Sequence, residues 1–326
     1  MGFTLSIIVP VYNGEKHIAR AVDRICGLSG DLDKEVIFVI DPKTDDNSGS
    51  LLEDIISKKE LRDWKVLTMD GTGGIGPVRN RGLDVASGEF IWHMDIDDCP
   101  FPELPSIAIE TMRKESADCF SFNYIRLPFD RQDDCDNVIP EHVDHDIEIY
   151  SGKDAVECLL AGKIPVTSWS NIYRRTKDID ELRFIKSTRA EDDHFTTRMM
   201  YLSDKVCFHR SPLYVYFYNP NAKWRKSLDF SDINGLYTDL EKWFSTRNKE
   251  LESAVRLYKC RLIMHKAVET DLRTFMGVTR SDGFLKDLDS CDWNSVERFV
   301  FRHFPRLYYL LVRNYFKMKS EEKEGV

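Results

Sequence analysis

Phe90-Ile91-Trp92-His93-Met94-Asp95-Ile96-Asp97-Asp98 is an apolar run that ends in three carboxylates within four residues. The run Phe90–Met94 is short, aromatic and uncharged, which reads as a strand buried on both faces. Three similar runs precede it, Thr4–Val11, Glu35–Ile40 and Lys65–Met69, with stretches of helical period between them at His17–Ile25, Leu51–Ile56 and Val78–Val85. Near-continuous apolar strands alternating with helices predict βα units and a parallel sheet covered on both sides. A polar cluster follows every strand: Tyr12-Asn13, Asp41 to Asp46, Asp70 to Gly76, and Asp95 to Asp98. Ligands of such sheets bind beyond the carboxyl ends of the strands, so four strand ends are expected to meet at one polar crevice.

Beyond Glu103 the pattern loosens into a helix (Leu104–Lys114), a strand (Asp118–Arg126), an acidic loop near Asp130–Asp136, a returning segment near Ile147 and a helix at Lys153–Leu160. Past residue 230 it becomes helical, with periodic stretches Ile233–Phe244, Leu251–Phe275 and Trp293–Lys319 and no proline from 221 to 304. A boundary near Ala222–Asp229 is expected, giving an α/β domain at 1–225 and a helical region at 226–326. The 326 residues exceed the usual size of one core. Hydrophobic residues at 42% suffice to fill two interiors. With 46 basic against 55 acidic residues, the net charge of -9 excludes a protein that coats nucleic acid, and none is expected as a partner. The eight cysteines are scattered, form no C-x-x-C pair and follow no basic or apolar leader, which predicts reduced thiols in a cytosolic protein.

The acidic strand end carries the strongest chemical signal. Carboxylates this close repel one another unless a cation neutralises them, and hard oxygen donors suit Mg2+ or Mn2+. A solvated acidic turn would show the same spacing. Asp41 stands where a base or ribose could be bound, while Asp46 and Asn47 have the character of helix caps. Gly71-Thr72-Gly73-Gly74-Ile75-Gly76 contains the dinucleotide fingerprint G-x-G-x-x-G, but it follows the third strand instead of the first and lacks the Lys-Ser/Thr of a P-loop. A flexible turn into the Arg79-Asn80 helix is the better account of it. Glu191-Asp192-Asp193-His194-Phe195 opens a helix, where acids are favoured by the macrodipole and where a general base could also sit. The eight histidines are dispersed and no nucleophile elbow occurs, which excludes Ser-His-Asp hydrolysis.

Taken together, Ser6–Asn13, Val39-Ile40-Asp41 with Asp45 and Asn47-Ser48, Gly76 with Arg79-Asn80 and Gly82, Ala86 with Gly88-Glu89-Phe90-Ile91, and Asp95-Ile96-Asp97-Asp98 resemble family 2 inverting glycosyltransferases of the GT-A fold. Trp169–Arg175, Glu191-Asp192 with Phe195, and Leu213-Tyr214 with Tyr216 resemble the second half of that domain, so the likeness spans about two-thirds of the chain. The resemblance implies a GT-A nucleotide-binding sheet flanked by helices. It implies nucleobase contacts from Pro10, Val11 and Asp41, a nucleotide contact from Arg79, and Asp95 near the ribose. Asp97, with Asp95 and Asp98 in support, would bind the divalent metal. Asp192 would be the catalytic base and Glu191 its neighbour. Ile40 stands where the family has the first Asp of D-D-G-S, Pro42-Lys43 replaces Gly-Ser, and Val78 precedes Arg79 in place of Ala.

Lys223, Arg225 and Lys226 are candidate diphosphate clamps, with a basic surface loop as the alternative, and Trp169 is a candidate platform for an acceptor sugar, with core packing as the alternative. The expected reaction is inverting transfer from a nucleotide sugar, with UDP as the expected nucleotide, to a saccharide or lipid-linked acceptor. A sugar-nucleotide nucleotidyltransferase would want a Gly-rich loop with Arg and Lys after the first strand, which Tyr12-Asn13-Gly14-Glu15 does not supply. A catalytically silent binding homologue would not need Asp95, Asp97 and Asp192. Residues 298–319 carry Arg298, Arg302, Arg306, Arg313, Lys317 and Lys319 with no acid. If Pro305 starts the last helix, Arg306, Arg313 and Lys317 share one face and Leu307, Tyr308, Leu311, Tyr315 and Met318 the other. That pattern fits either a docked helix or one lying on the inner face of the cell membrane.

Overall fold

Strand β1 (Leu5–Val11) is buried at every position, and its pleat assigns the two sides of the sheet. Leu5, Ile7, Val9 and Val11 share a core with Ile18, Ala21, Val22 and Ile25 of α1 (Glu15–Cys26), the apolar stripe of that helix. Ile8 faces the opposite way, onto α3 (Ile75–Val85), so closely that a Cβ on Gly82 would lie 2.3 Å from Ile8 Cγ2. Strands β2 (Lys34–Ile40), β3 (Trp64–Thr68) and β4 (Phe90–His93) complete the first half, with α2 (Ser48–Lys58) between β2 and β3. Their order is β3-β2-β1-β4, all parallel, as the alternation of apolar runs and helices predicts. Buried Glu35 fastens the amino ends: it accepts bonds from Ser6 Oγ (2.7 Å), Ser87 N (2.6 Å) and Lys65 Nζ (2.7 Å). Burial alone would push this carboxyl up, but the bonds from Lys65, Ser6 and Ser87 outweigh it and hold it below its ordinary value.

The second half continues the sheet in mixed sense. It comprises β5 (Cys99–Pro100), α4 (Leu104–Glu115), β6 (Cys119–Pro128), α5 (Cys135–Val138), β7 (Ile147–Ser151), α6 (Gly152–Leu160), β8 (Asn171–Arg174), α7 (Lys177–Asp180), α8 (Glu191–Leu202) and β9 (Lys205–Tyr218). β8 joins β4 antiparallel and β6 joins β8 antiparallel, while the long β9 pairs parallel with β6 and antiparallel with β5 and β7. Cys99 and Cys135 form a disulfide with their Cα atoms 6.6 Å apart, which corrects the expectation that all eight thiols are reduced. β5 and the start of α5, far apart in composition and pattern, are brought together only by the folded chain.

The structure is a computed structural model that describes residues 2–30, 32–71, 73–139, 146–186, 191–219, 230–291 and 294–324. It has two units, Met1–Lys226 and Ser227–Val326. Nine strands among the described residues form the one sheet of the first unit.

The second unit contains α9 (Phe230–Ser245), α10 (Lys249–Thr270), α11 (Leu272–Thr279), α12 (Asp282–Asp289), α13 (Ser295–His303) and α14 (Pro305–Glu324). Lys259, only 3% exposed, links three of these helices by reaching Glu241 (3.1 Å) and Asp287 (2.6 Å). Two long expected helices are interrupted. Asp271 takes an extended φ of -164° and its carboxylate accepts the Thr274 N–H at 2.8 Å, ending α10 and capping α11. Pro305 likewise ends α13 and opens α14, because a proline at the first helical position gives up no intrahelical bond. α14 docks through Tyr308 and Tyr309, which are buried, while Leu307 and Leu311 stay exposed; the tyrosine and leucine positions therefore do not share one apolar face as expected. Among the described residues no helix is long and apolar enough to cross a membrane.

Candidate active site

The carboxyl ends of β1, β2 and β4 bring their polar residues to one edge of the sheet. Pro10 and Val11 are buried in β1, and the Val11 carbonyl accepts the Asp41 N–H at 2.8 Å. Asp41, 6% exposed, accepts the Lys43 N–H (2.8 Å) and the Gly74 N–H (2.6 Å). This explains the glycine run. A Cβ on Gly73 would lie 2.2 Å from Asp41 Oδ1, and Gly74 has φ +126°, a region closed to most side chains. The glycines bring a loop onto Asp41 and do not serve as a dinucleotide fingerprint.

Arg79 is the centre of the site. It projects from α3, is 2% exposed, and gathers three carboxylates from two distant segments: Asp192 Oδ1 at 2.6 Å and Glu191 Oε1 at 3.6 Å from Nη1, and Asp95 Oδ1 at 3.2 Å from Nη2. Its guanidinium also lies 5.4 Å from the Phe184 ring centroid. Burial works against the charge, but the carboxylates, Asp192 foremost, outweigh it and raise the Arg79 pKa further. Glu191 and Asp192 occupy the first turn of α8, where the helix N-terminus favours negative charge. Burial, then Asp192, push Glu191 up to about 7 against the pull of Arg79. Burial likewise raises Asp95 to about 6, with Asp97 and Asp192 adding repulsion and Arg79 opposing.

The acidic tip after β4 divides into two roles. Asp95 and Asp97 are partly exposed, and burial raises the Asp97 carboxyl as well. Asp98 is fully buried, with Oδ1 accepting the Phe217 N–H at 3.0 Å; burial, then Asp97 and Asp95, push it well above the carboxylate range. The expected metal role of Asp98 is corrected accordingly, since the residue is fully buried and its Oδ1 is engaged by β9. Asp95 and Asp97 remain as partly exposed hard oxygen donors, with Asp95 also paired to Arg79. That donor set fits Mg2+ or Mn2+, which commonly take one or two carboxylates and complete their shell with phosphate oxygens and water. Among the described residues no group of three or more His, Cys, Asp or Glu side chains forms a protein-only cage.

Three residues that support this tip carry no local sequence signal. Arg24 donates to the Asp98 carbonyl (2.6 Å), Gln132 Nε2 donates to the Asp97 carbonyl (2.9 Å), and Phe217 supplies the bond to Asp98. They lie 35 to 119 residues from their partners, so only the folded sheet joins them. Behind the tip, His93 Nε2 lies 3.0 Å from the Tyr173 hydroxyl; burial, then Arg79, push its pKa well down, so it stays neutral. Trp169 is a second correction. It is 4% exposed, stacks on Tyr214 (4.9 Å) and Tyr216 (5.4 Å), meets Tyr124 edge-on (4.8 Å), and its carbonyl accepts Trp92 Nε1 at 3.0 Å. The ring is core and offers no platform to a sugar. Lys223, Arg225 and Lys226 lie outside the described residues.

Comparison with known proteins agrees with this arrangement. The family model for Glycosyl transferase family 2 matches residues 6–181. EpsH of Bacillus subtilis (strain 168) is 26% identical over 273 residues, covering 81% of this chain and 75% of EpsH. Among solved structures, residues 1–349 of S. aureus TarS in complex with UDP-GlcNAc superpose with a TM-score of 0.68 at 15% identity, covering 97% of this chain and 92% of that one. The mannosyltransferase PcManGT from Pyrobaculum calidifontis, in complex with GDP-Man and Mn2+, gives 0.53 at 14% identity over 88% of this chain and 83% of its own. With the family model covering more than half of the sequence, the chain belongs to the family 2 glycosyltransferases.

Proposed function

We propose that this glycosyltransferase is inverting and divalent-metal-dependent, and that it moves a sugar from a nucleoside-diphosphate donor, a UDP-sugar, to a saccharide or lipid-linked acceptor in the synthesis of a surface polysaccharide or glycolipid. The observation that carries the reading is the cluster of Arg79 with Asp95, Glu191 and Asp192, beside the open carboxylates of Asp97 and Asp95. The UDP-GlcNAc held by TarS and the Mn2+ and GDP-Man held by PcManGT support the donor class and the metal. TarS is a poly(ribitol-phosphate) beta-N-acetylglucosaminyltransferase, which supports a polymer acceptor.

In this reading Pro10, Val11 and Asp41 hold the nucleobase, Asp95 meets the ribose, and Asp97 with Asp95 binds the metal. When bound, that ion supplies positive charge to a departing diphosphate. Asp192 accepts the proton of the acceptor hydroxyl as it attacks the anomeric carbon from the side opposite the leaving group, and one displacement inverts the configuration. Arg79 fixes the direction of the Asp192 carboxylate through its 2.6 Å contact, and Glu191 lies beside it to orient the acceptor. Lys223, Arg225 and Lys226 assist the diphosphate. Residues 1–225 carry the transfer chemistry, and 226–326 hold the enzyme at the inner, anionic face of the cell membrane where a lipid-linked acceptor is presented. Thermal unfolding with UDP, GDP, CDP and their sugars, each with Mn2+ or chelator, tests the donor and metal together. Stabilisation by UDP that needs Mn2+ is expected; equal stabilisation under chelator refutes metal dependence, and preference for another nucleotide refutes UDP.

A further inference from the structure

The helical unit leaves an unusual surface in water. On α14, Leu307, Leu310 and Leu311 are 49%, 53% and 55% exposed, although Tyr308 and Tyr309 beside them are buried. At about 100° per residue the three leucines fall within an arc of about 100°, opposite the arc of Tyr308, Tyr309 and Val312 that docks the helix. Phe304 and Phe299, 52% and 56% exposed with ring centroids 6.2 Å apart, extend the apolar surface onto α13. Contiguous exposed leucine and phenylalanine on this scale mark an interaction site.

A cavity of about 450 Å³ opens beside this arc, within the volume range of small-molecule sites. Leu311 belongs to both: it is exposed, and with Met264, Val300 and Val312 it forms the cavity's apolar wall. Arg261, itself exposed, stands on the same cavity. The only carboxylate among the lining residues, Glu297, accepts a bond from the Tyr308 hydroxyl at 2.8 Å. Charge indicates the occupant. Arg298 and Arg302 share the single carboxylate of Asp289, and among the described residues no ion pair engages Arg261, Arg306 or Arg313. A hydrocarbon wall beside unpaired cations matches an amphiphile with an apolar chain and an anionic head.

We propose that this face is a lipid-docking site, in which the leucine arc enters an anionic bilayer and the cavity behind Leu311 admits the acyl chain of one lipid whose phosphate meets Arg261. This deepens the membrane-surface part of the proposed function and is independent of the transfer chemistry. The full chain should float with vesicles of phosphatidylcholine and phosphatidylglycerol, but not with phosphatidylcholine alone, and should be released by high salt. The double variant Leu307→Asp/Leu310→Asp should bind the mixed vesicles about tenfold or more weakly while keeping its thermal midpoint, because both side chains are already in water. Phosphatidylglycerol carrying a diazirine within its acyl chain should crosslink to peptides containing Met264 and Leu311. Val300→Phe, which narrows the cavity, should reduce the Met264 crosslink without preventing flotation. Label confined to the exposed leucines overturns the acyl-chain site, and flotation indifferent to phosphatidylglycerol overturns the anionic head. A dimer in sedimentation that the double aspartate variant dissociates, with no flotation, would mean that a second copy covers the face. UDP-dependent stabilisation measured in parallel keeps a failure here separate from a failure of the transfer reading.

Discussion

Replacing Arg79 with methionine removes the cation around which Asp95, Glu191 and Asp192 are gathered. The guanidinium is 2% exposed and the three carboxylate side chains are 24%, 11% and 18% exposed, so water can replace the lost contacts only in part. Breaking a buried ion pair by deleting one partner typically costs about 3–5 kcal/mol, and in a domain of this size about 1 kcal/mol lowers the thermal midpoint by about 2–4 °C. The expected fall is therefore about 6–20 °C in chelator near pH 8. The pH dependence separates this cause from simple loss of packing. Asp95 and Glu191 sit at about 6 and about 7 in the folded protein, above their unfolded values, so the folded state holds the extra protons. Their contribution is fully present below the unfolded values near 4 and is lost as pH rises through 6 to 7. Without Arg79 both shift further up, and the deficit of the variant should shrink near pH 5, where the carboxyls are neutral. Differential scanning calorimetry at pH 5, 6.5 and 8 measures it, and Arg79→Met/Asp192→Asn should recover part of the loss. A deficit equal at pH 5 and pH 8, or below about 1 kcal/mol throughout, would refute the account of Arg79 as the counter-charge of the cluster.

Asp97→Asn should abolish both sugar transfer and the Mn2+-dependent stabilisation by UDP; full transfer by this variant in chelator would remove the metal from the reading. Asp192→Asn should keep donor affinity, measured by calorimetric titration, while turnover falls by about 100- to 10,000-fold, and parallel loss of donor binding would mark Asp192 as structural. Trp169→Ala should cost about 3–5 kcal/mol of stability, whereas Trp169→Phe should leave the KM for acceptor unchanged; a selective rise in that KM would restore the ring as a sugar platform.

The four parallel strands were legible because each is a run of apolar residues closed by a polar cluster, a pattern confined to neighbours in sequence. Asp95, Asp97, Glu191 and Asp192 were legible as motifs, and the structure brings Asp95 to Glu191 and Asp192 through Arg79. What failed to show depended on partners far along the chain. Trp169 looked available until Tyr214 and Tyr216 of β9 covered it. Asp98 stood as a supporting ligand beside Asp97 until the Phe217 amide engaged it. The break at Asp271 is a different kind of miss, since an aspartate within an apolar helical period marks a surface position and a cap equally well, and only its extended backbone decides. On α14 the periodicity identified an amphipathic helix but not which apolar residues dock, because apolar tyrosines and leucines lie on both sides of the helix.

The bond from Phe217 to Asp98 spans 119 residues, and this has a consequence for the order of events on the ribosome. At about 5–20 residues per second, roughly 6–24 s of synthesis separate the emergence of the acidic tip from that of the strand that stabilises it. During that interval β1 to β4 can already pair, since their contacts are comparatively local, yet the buried carboxyl of Asp98 has no backbone donor and β6 lacks its long parallel neighbour. A nascent chain halted before β9 should consequently expose the β6 edge and resist protease poorly. Release of β9 would then complete the sheet and the acidic tip in a single late step.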